Sequence, residues 1–298
     1  MALCDRLPGL HTRGVGLGEA MTSALLTAAE RRALRADFNA LGGEGQVRLH
    51  DEDGGLVVLT LDNPSASNAL SGAMIAALDE AVDALAEGTD RRALLLRASG
   101  GGVFCAGADL KLVRAQVDSP DFARRMSLFM RDLTERVAAS PLVSAVALDG
   151  AAVGGGAELC TCADWRFIAQ DATIRFVHAS LGISPGWGGG GRLTRLVGRG
   201  AALRLLTTAR RVEADEALRM GLVVGVAPPG GAEALARAAL AEVLDHPAAS
   251  VRALKGLVHA ADRQEPVSAA RVEGDAFVAL WGGPAMREAL ARSRKGRA

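Results

Sequence analysis

The sequence predicts an α/β fold with parallel strand pairs and a helical region at its C-terminal end. Three observations carry this. Apolar runs of strand length alternate with stretches of helical periodicity through the first two thirds of the chain. Two glycine clusters sit where a strand gives way to a helix. After about residue 190 the spacing is helical almost to the end. Strand, helix and strand in repetition imply parallel pairing around a layered core. A chain of 298 residues buries enough surface to need no covalent staples. The expected organisation is a tail and helix over 1–43, an α/β core over 44–199 and a helical region over 200–298.

In order along the chain, residues 24–40 read as a helix closed by Gly42-Gly43. Residues 46–51 and 55–62 read as paired strands turning at Asp53-Gly54-Gly55. Residues 70–87 have helical spacing, and Ala93-Leu94-Leu95-Leu96 is a short apolar run, as in a strand buried on both faces. A helix fits 121–139 and is closed by Ser140-Pro141; a strand fits 142–148; a helix and a strand fit 157–169. The first 23 residues mix Arg6, His11 and Arg13 with Asp5 and Glu19 and have no apolar stretch, so they read as a disordered tail rather than a secretion signal. An organelle presequence is the alternative, and the expected location is cytoplasmic.

Composition removes several functions. Lys plus Arg equals Asp plus Glu at 34 each, so no basic excess points to nucleic acid or an anionic membrane. Tyrosine is absent and aromatics make up 3%, too few for a base-stacking platform. No run approaches the roughly 20 apolar residues of a membrane helix. Cys4, Cys105, Cys160 and Cys162 are too few and too uneven for a disulfide framework, and Cys160-x-Cys162 is too tight for zinc. All four are expected to be reduced thiols, and no metal or other cofactor is expected.

The chemistry concentrates in two loops. The first is Phe104-Cys105-Ala106-Gly107-Ala108-Asp109-Leu110-Lys111; the second is Gly154-Gly155-Gly156-Ala157-Glu158-Leu159. Small residues let a ligand approach the backbone, and the first amides of a helix lack internal partners. Two such loops facing one pocket can hold a carbonyl oxygen between two N–H donors. The bland alternative is that the glycines only permit tight packing. GxxxxGK[ST] is absent, so neither is a phosphate loop.

These loops, about fifty residues apart in this order, resemble those of the crotonase (enoyl-CoA hydratase/isomerase) family, and Asn63-Pro64-Ser65-Ala66-Ser67-Asn68-Ala69-Leu70 is similar to that family's first CoA-lining segment. The resemblance covers nearly the whole chain from about residue 46. It implies a ββα spiral core with a C-terminal helical domain, an acyl-CoA thioester as substrate, and assembly as a homotrimer or homohexamer. It also implies that the N–H groups of Ala108 and Gly155 form an oxyanion hole. Ala66, Ala106, Asp109, Leu110, Lys111 and Gly154 would border the CoA thioester with them. Asp109 has a simpler reading as a helix cap, Cys105 as a buried thiol, and Lys255 as part of a solvated helix face rather than a phosphate contact.

A hydratase of that family positions water with two glutamates. Here Glu158 matches the first, and His178, in Arg175-Phe176-Val177-His178-Ala179, stands at the second. The stretch IRFVHASLGISPGWGGGGRL, the run Cys162-Ala163-Asp164-Trp165-Arg166-Phe167 and the ending Leu280-Trp281-Gly282-Gly283-Pro284 resemble a decarboxylase subgroup acting on ethylmalonyl-CoA and methylmalonyl-CoA in metabolite repair. That implies catalytic roles for Ala108, Gly155, Glu158 and His178, and places Trp187 with the substrate. For Trp187 and Trp281 the bland reading is core packing. Loss of CO2 leaves the enolate such a hole stabilises, and either Glu158 or His178 would deliver the proton to C2. The alternatives are a hydratase or isomerase, and a silent CoA-binding assembly protein.

Overall fold

The computed structural model describes residues 26–88, 90–100 and 102–295. The expectations for the tail, a presequence and Cys4 lie outside the described residues. The first helix, α1 (Ala28–Ala40), starts later than residue 24 because Thr27 caps it. The Thr27 hydroxyl accepts from the Glu30 N–H and the Glu30 carboxylate accepts from the Thr27 N–H. Strands β1 (Gln46–Glu52) and β2 (Leu56–Asp62) pair antiparallel across Asp53–Gly55, where Gly54 takes a positive φ of 75°. Then come α2 (Gly72–Ala84), capped by Ser71, then β3 (Ala93–Ala98), β4 (Gly102–Cys105), α3 (Leu110–Gln116) and α4 (Pro120–Ala139), capped by Ser119. The chain continues through β5 (Val143–Leu148), β6 (Gly150–Val153), α5 (Gly155–Cys160), β7 (Trp165–Ala169) and β8 (Thr173–Arg175). The remainder is α6 (Gly189–Thr208), β9 (Arg211–Glu213), α7 (Ala214–Arg219), β10 (Gly225–Ala227), α8 (Ala232–Leu244), α9 (Ala248–Arg263), α10 (Pro266–Leu280) and α11 (Pro284–Lys295).

Two sheets result. One runs β1-β2-β3-β5-β7-β10, parallel except for the first pair; the other runs β4-β6-β8-β9, parallel except for the last. Each pass contributes a long strand to the first sheet and a short one to the second: β3 then β4, β5 then β6, β7 then β8. This is a ββα spiral. Val57, Val58, Leu61, Leu95 and Val146 are fully buried in the first sheet, each worth about 1.5–3 kcal/mol of hydrophobic stabilisation.

The region expected to be helical after residue 190 also carries β9 and β10, each of three residues. So short a strand has no readable alternation; the sheets supply its partners, and β10 closes the edge beside β7. Lys255 corrects another expectation. It is 7% exposed, and its Nζ pairs with the Asp164 carboxylate, which also accepts from the N–H (2.7 Å) and hydroxyl (2.8 Å) of Ser144. It lies on the buried side of α9 with Val251, not on a solvated face. Lys255→Ala leaves Asp164 without its cation and should cost about 2 kcal/mol. A lower urea midpoint at unchanged m-value would register it.

Candidate active site

β4 and β6 lie side by side in parallel, with Cys105 opposite Ala152. The glycine loops follow these two short strands, not directly the long ones expected from sequence, and are thereby brought into contact. A Cβ at Gly156 would stand 2.0 Å from the Cys105 carbonyl oxygen, and one at Gly107 would stand 2.9 Å from the Gly155 nitrogen. Gly107 also has a φ of +93°, which side chains resist. The first loop is tied to the segment before α2. Leu70 N–H donates to the Gly107 carbonyl (2.8 Å), and Asp109 N–H donates to the Leu70 carbonyl (3.0 Å). That segment is held by Asn68, 1% exposed, whose Oδ1 accepts from the Asn63 N–H (2.7 Å). Its Nδ2 donates to the carbonyls of Ser99 (2.9 Å) and Val103 (2.8 Å). Asp109 caps α3 by accepting from the Lys111 N–H at 2.7 Å, so its side chain is occupied there. Among the described residues, neither the Ala108 nor the Gly155 N–H has an acceptor.

One turn beyond Gly155 on α5 stands Glu158, 1% exposed. Both its oxygens are saturated. With the His178 proton assigned to Nε2, Oε1 accepts from it (3.0 Å) and from the Gly186 N–H (3.2 Å); Oε2 accepts from the N–H groups of Trp187 (2.8 Å) and Gly189 (2.9 Å). A carboxylate offers about four acceptor positions, and N–H donors fill all of them. Gly189 is required here, because a Cβ would fall 2.5 Å from Glu158 Cγ. His178 is 5% exposed, and its other ring nitrogen, Nδ1, is buried with no partner. The Trp187 ring covers Gly155, close enough that a Cβ there would meet it at 2.5 Å. Arg192, also buried, braces the loop from behind: Nη2 donates to the Trp187 carbonyl (2.8 Å) and Nε to Thr161 Oγ1 (3.0 Å).

Ala108, Gly155, Glu158, His178 and Trp187 thus converge. Gly154 precedes α5 with a positive φ of 56°. Ala66 is half-buried, and Ala106, Leu110 and Lys111 lie exposed on the first loop and the start of α3. Trp281 goes elsewhere: it is 64% exposed, against the Phe277 ring at 5.1 Å, so core packing does not describe it. Arg192 and the amides of the 186–189 loop were missed by the sequence reading; the glycine run after Trp187 was their one visible trace. Cys105 is a fully buried thiol, as expected. Burial pushes Cys105 and Cys160 up to about 12 and Cys162 up to about 11. A thiol-disulfide reagent at pH 8 should therefore titrate at most Cys4 in the native chain and all four thiols after denaturation, a count read directly by absorbance.

The family model for enoyl-CoA hydratase/isomerase matches residues 51–292. The chain is 40% identical over 255 residues to ethylmalonyl-CoA decarboxylase of Gallus gallus, covering 84% of this chain and 85% of that one. It is 39% identical over 257 residues to ethylmalonyl-CoA decarboxylase of Danio rerio, covering 84% of each. Among solved structures, the enoyl-CoA hydratase of Bacillus anthracis superposes with a TM-score of 0.80 at 28% identity, over 84% of this chain and 96% of that one. An enoyl-CoA hydratase of Mycobacterium smegmatis gives 0.79 at 32% identity, over 85% and 97%. With the family match spanning most of its length and the spiral and paired loops in place, the chain belongs to the enoyl-CoA hydratase/isomerase, or crotonase, family.

Proposed function

We propose that this protein decarboxylates short 2-carboxyacyl-CoA thioesters, ethylmalonyl-CoA and methylmalonyl-CoA, as a metabolite-repair enzyme of acyl-CoA metabolism. The relatives named ethylmalonyl-CoA decarboxylase support the substrate class. The observation that carries the mechanism is the pairing of a saturated Glu158 with a half-satisfied His178. In this reading the thioester oxygen accepts from the free amides of Ala108 and Gly155. The bond from C2 to the carboxylate breaks, CO2 leaves, and the electron pair passes into a thioester enolate whose oxygen the two amides stabilise. A donor of this kind is worth roughly 2.7–4 kcal/mol in the transition state. The substrate brings the CoA, and the reading needs no other group.

Protonation of C2 completes the reaction. A Glu158 with N–H donors on every lone pair has no hydrogen-bonding capacity left for a proton of its own. His178, fixed through Nε2, presents Nδ1 as its unused atom; as imidazolium it carries an N–H there and can give that proton to C2, regaining one from water. A buried polar atom without a partner calls for an explanation, and a substrate carbon awaiting a proton supplies one for Nδ1. We therefore assign proton delivery to His178 and its orientation to Glu158. Hydration is disfavoured by the same geometry, because Glu158 has no free acceptor with which to hold a water. Glu158→Gln puts an amide NH2 among N–H donors and should lower kcat about 10²-fold with KM little changed; an unaltered rate would remove Glu158 from the mechanism.

The deciding assay sets ethylmalonyl-CoA, methylmalonyl-CoA, malonyl-CoA and crotonyl-CoA side by side, with products identified by mass. Butyryl-CoA or propionyl-CoA with CO2 release supports the decarboxylase. A 3-hydroxy product from crotonyl-CoA without CO2 supports a hydratase, and tight acyl-CoA binding with no turnover supports a silent assembly protein. We further propose a homotrimer or homohexamer. Leu254, Val258, Val267, Phe277, Val278 and Trp281 leave an apolar face exposed on and beside α9 and α10. Light scattering on the eluting protein tests this.

A further inference from the structure

A cavity of about 550 Å³ lies between α4, the loop before α6 and the start of α6, with Arg263 of α9 on its wall. None of Ala108, Gly155, Glu158 or His178 lines it; it lies behind the thioester site, with Gly186, whose N–H donates to Glu158, on its wall. Four arginines, Arg131, Arg192, Arg195 and Arg263, line it against one acidic residue, Glu135. Arg263 is engaged by Glu135 (2.6 Å) and Asp262 (2.9 Å), and Arg195 lies 3.4 Å from Asp262.

The other two cations have no such partner. Among the described residues, no carboxylate lies within ion-pair distance of Arg131 or Arg192. Arg131 is exposed at the mouth. Arg192 is 5% exposed; its Nε donates to Thr161 and its Nη2 to the carbonyls of Trp187 and Glu158, while among the described residues Nη1, 2.7 Å from where a Cβ on Gly188 would stand, has no acceptor. Burial disfavours the Arg192 charge, Glu135 and Glu158 offset this only from beyond ion-pair distance, and an anion in the cavity adds to them. The amides of Gly190 and Gly191, which also line the cavity, fall in the first turn of α6, where no intrahelical acceptor exists. Their partial positive charge has the same sign as the arginines'.

We propose that this cavity binds a small organic phosphate, its phosphoryl oxygens held by Arg131, Arg192 and the amides of Gly190 and Gly191. Guanidinium forks and paired amides match the several acceptor oxygens of a phosphate, and the volume falls in the range of small-molecule sites. The proposal does not depend on which reaction the thioester site performs.

The test is calorimetric titration of the full chain with inorganic pyrophosphate at low salt. Arg131→Glu is compared with Arg124→Glu, an exposed position on the same helix with the same charge change (Arg124 lies 3.6 Å from Asp121). Saturable binding at one per chain is expected, weakened tenfold or more by Arg131→Glu and at most about twofold by Arg124→Glu. Ligand-free melting temperatures of both variants should match the parent. No saturable binding overturns the proposal, as when another copy of the chain fills the cavity. Equal weakening by the two variants also overturns it, since bulk charge alone would then be responsible.

Discussion

His178→Ala lowers kcat for ethylmalonyl-CoA decarboxylation by about 10²-fold or more, while KM stays within about twofold. The argument is positional. Nε2 is committed to Glu158 at 3.0 Å, so Nδ1 is the atom left to act. Deleting the ring removes the proposed proton source but leaves the amides of Ala108 and Gly155 in place, and Glu158 keeps three backbone donors from Gly186, Trp187 and Gly189. The loop should therefore remain in place. Added imidazole should restore part of the rate, because the vacated space is ring-sized; a purely structural histidine would show no rescue. Equal losses in kcat and in CoA binding, without rescue, would return His178 to a packing role.

Gly156→Ala destabilises the protein by about 3 kcal/mol or more, near the upper end for overpacking a core. The added methyl meets backbone on the other loop: the Cys105 carbonyl oxygen at 2.0 Å and its carbon at 2.7 Å. Neither can rotate aside, so α5 must move, and α5 carries both the Gly155 amide and Glu158. Activity should be lost in whatever fraction remains folded. Gly200→Ala is the comparison. It lies in α6 with nothing within 4 Å of the new Cβ, and should be neutral or stabilising by about 0.5–1 kcal/mol through helix propensity. Denaturant midpoints for the pair separate a contact between loops from a general intolerance of glycine replacement.

Much of the fold could be read locally. Apolar runs such as Leu56–Leu61 and Ala93–Leu96 are long enough to declare themselves. The resemblance in the two loops pointed to Ala108, Gly155 and Glu158, that in the stretch after β8 to His178, and the spacing of Gly155 and Glu158 puts both on one turn of α5. These properties depend on neighbours in the chain, so sequence alone determined them. The strands β4, β6, β8, β9 and β10 have only three or four residues and exist through their partners. Their pairing, not any local signal, sets the two loops against each other. The same holds for the backbone amides of Gly186, Trp187 and Gly189 on Glu158, and for Lys255 on Asp164 91 residues away. An amide has no sequence signature and a lysine's burial depends on what the helix lies against, so only the tertiary structure decided that Glu158 is ringed by donors and that one nitrogen of His178 is left without a partner.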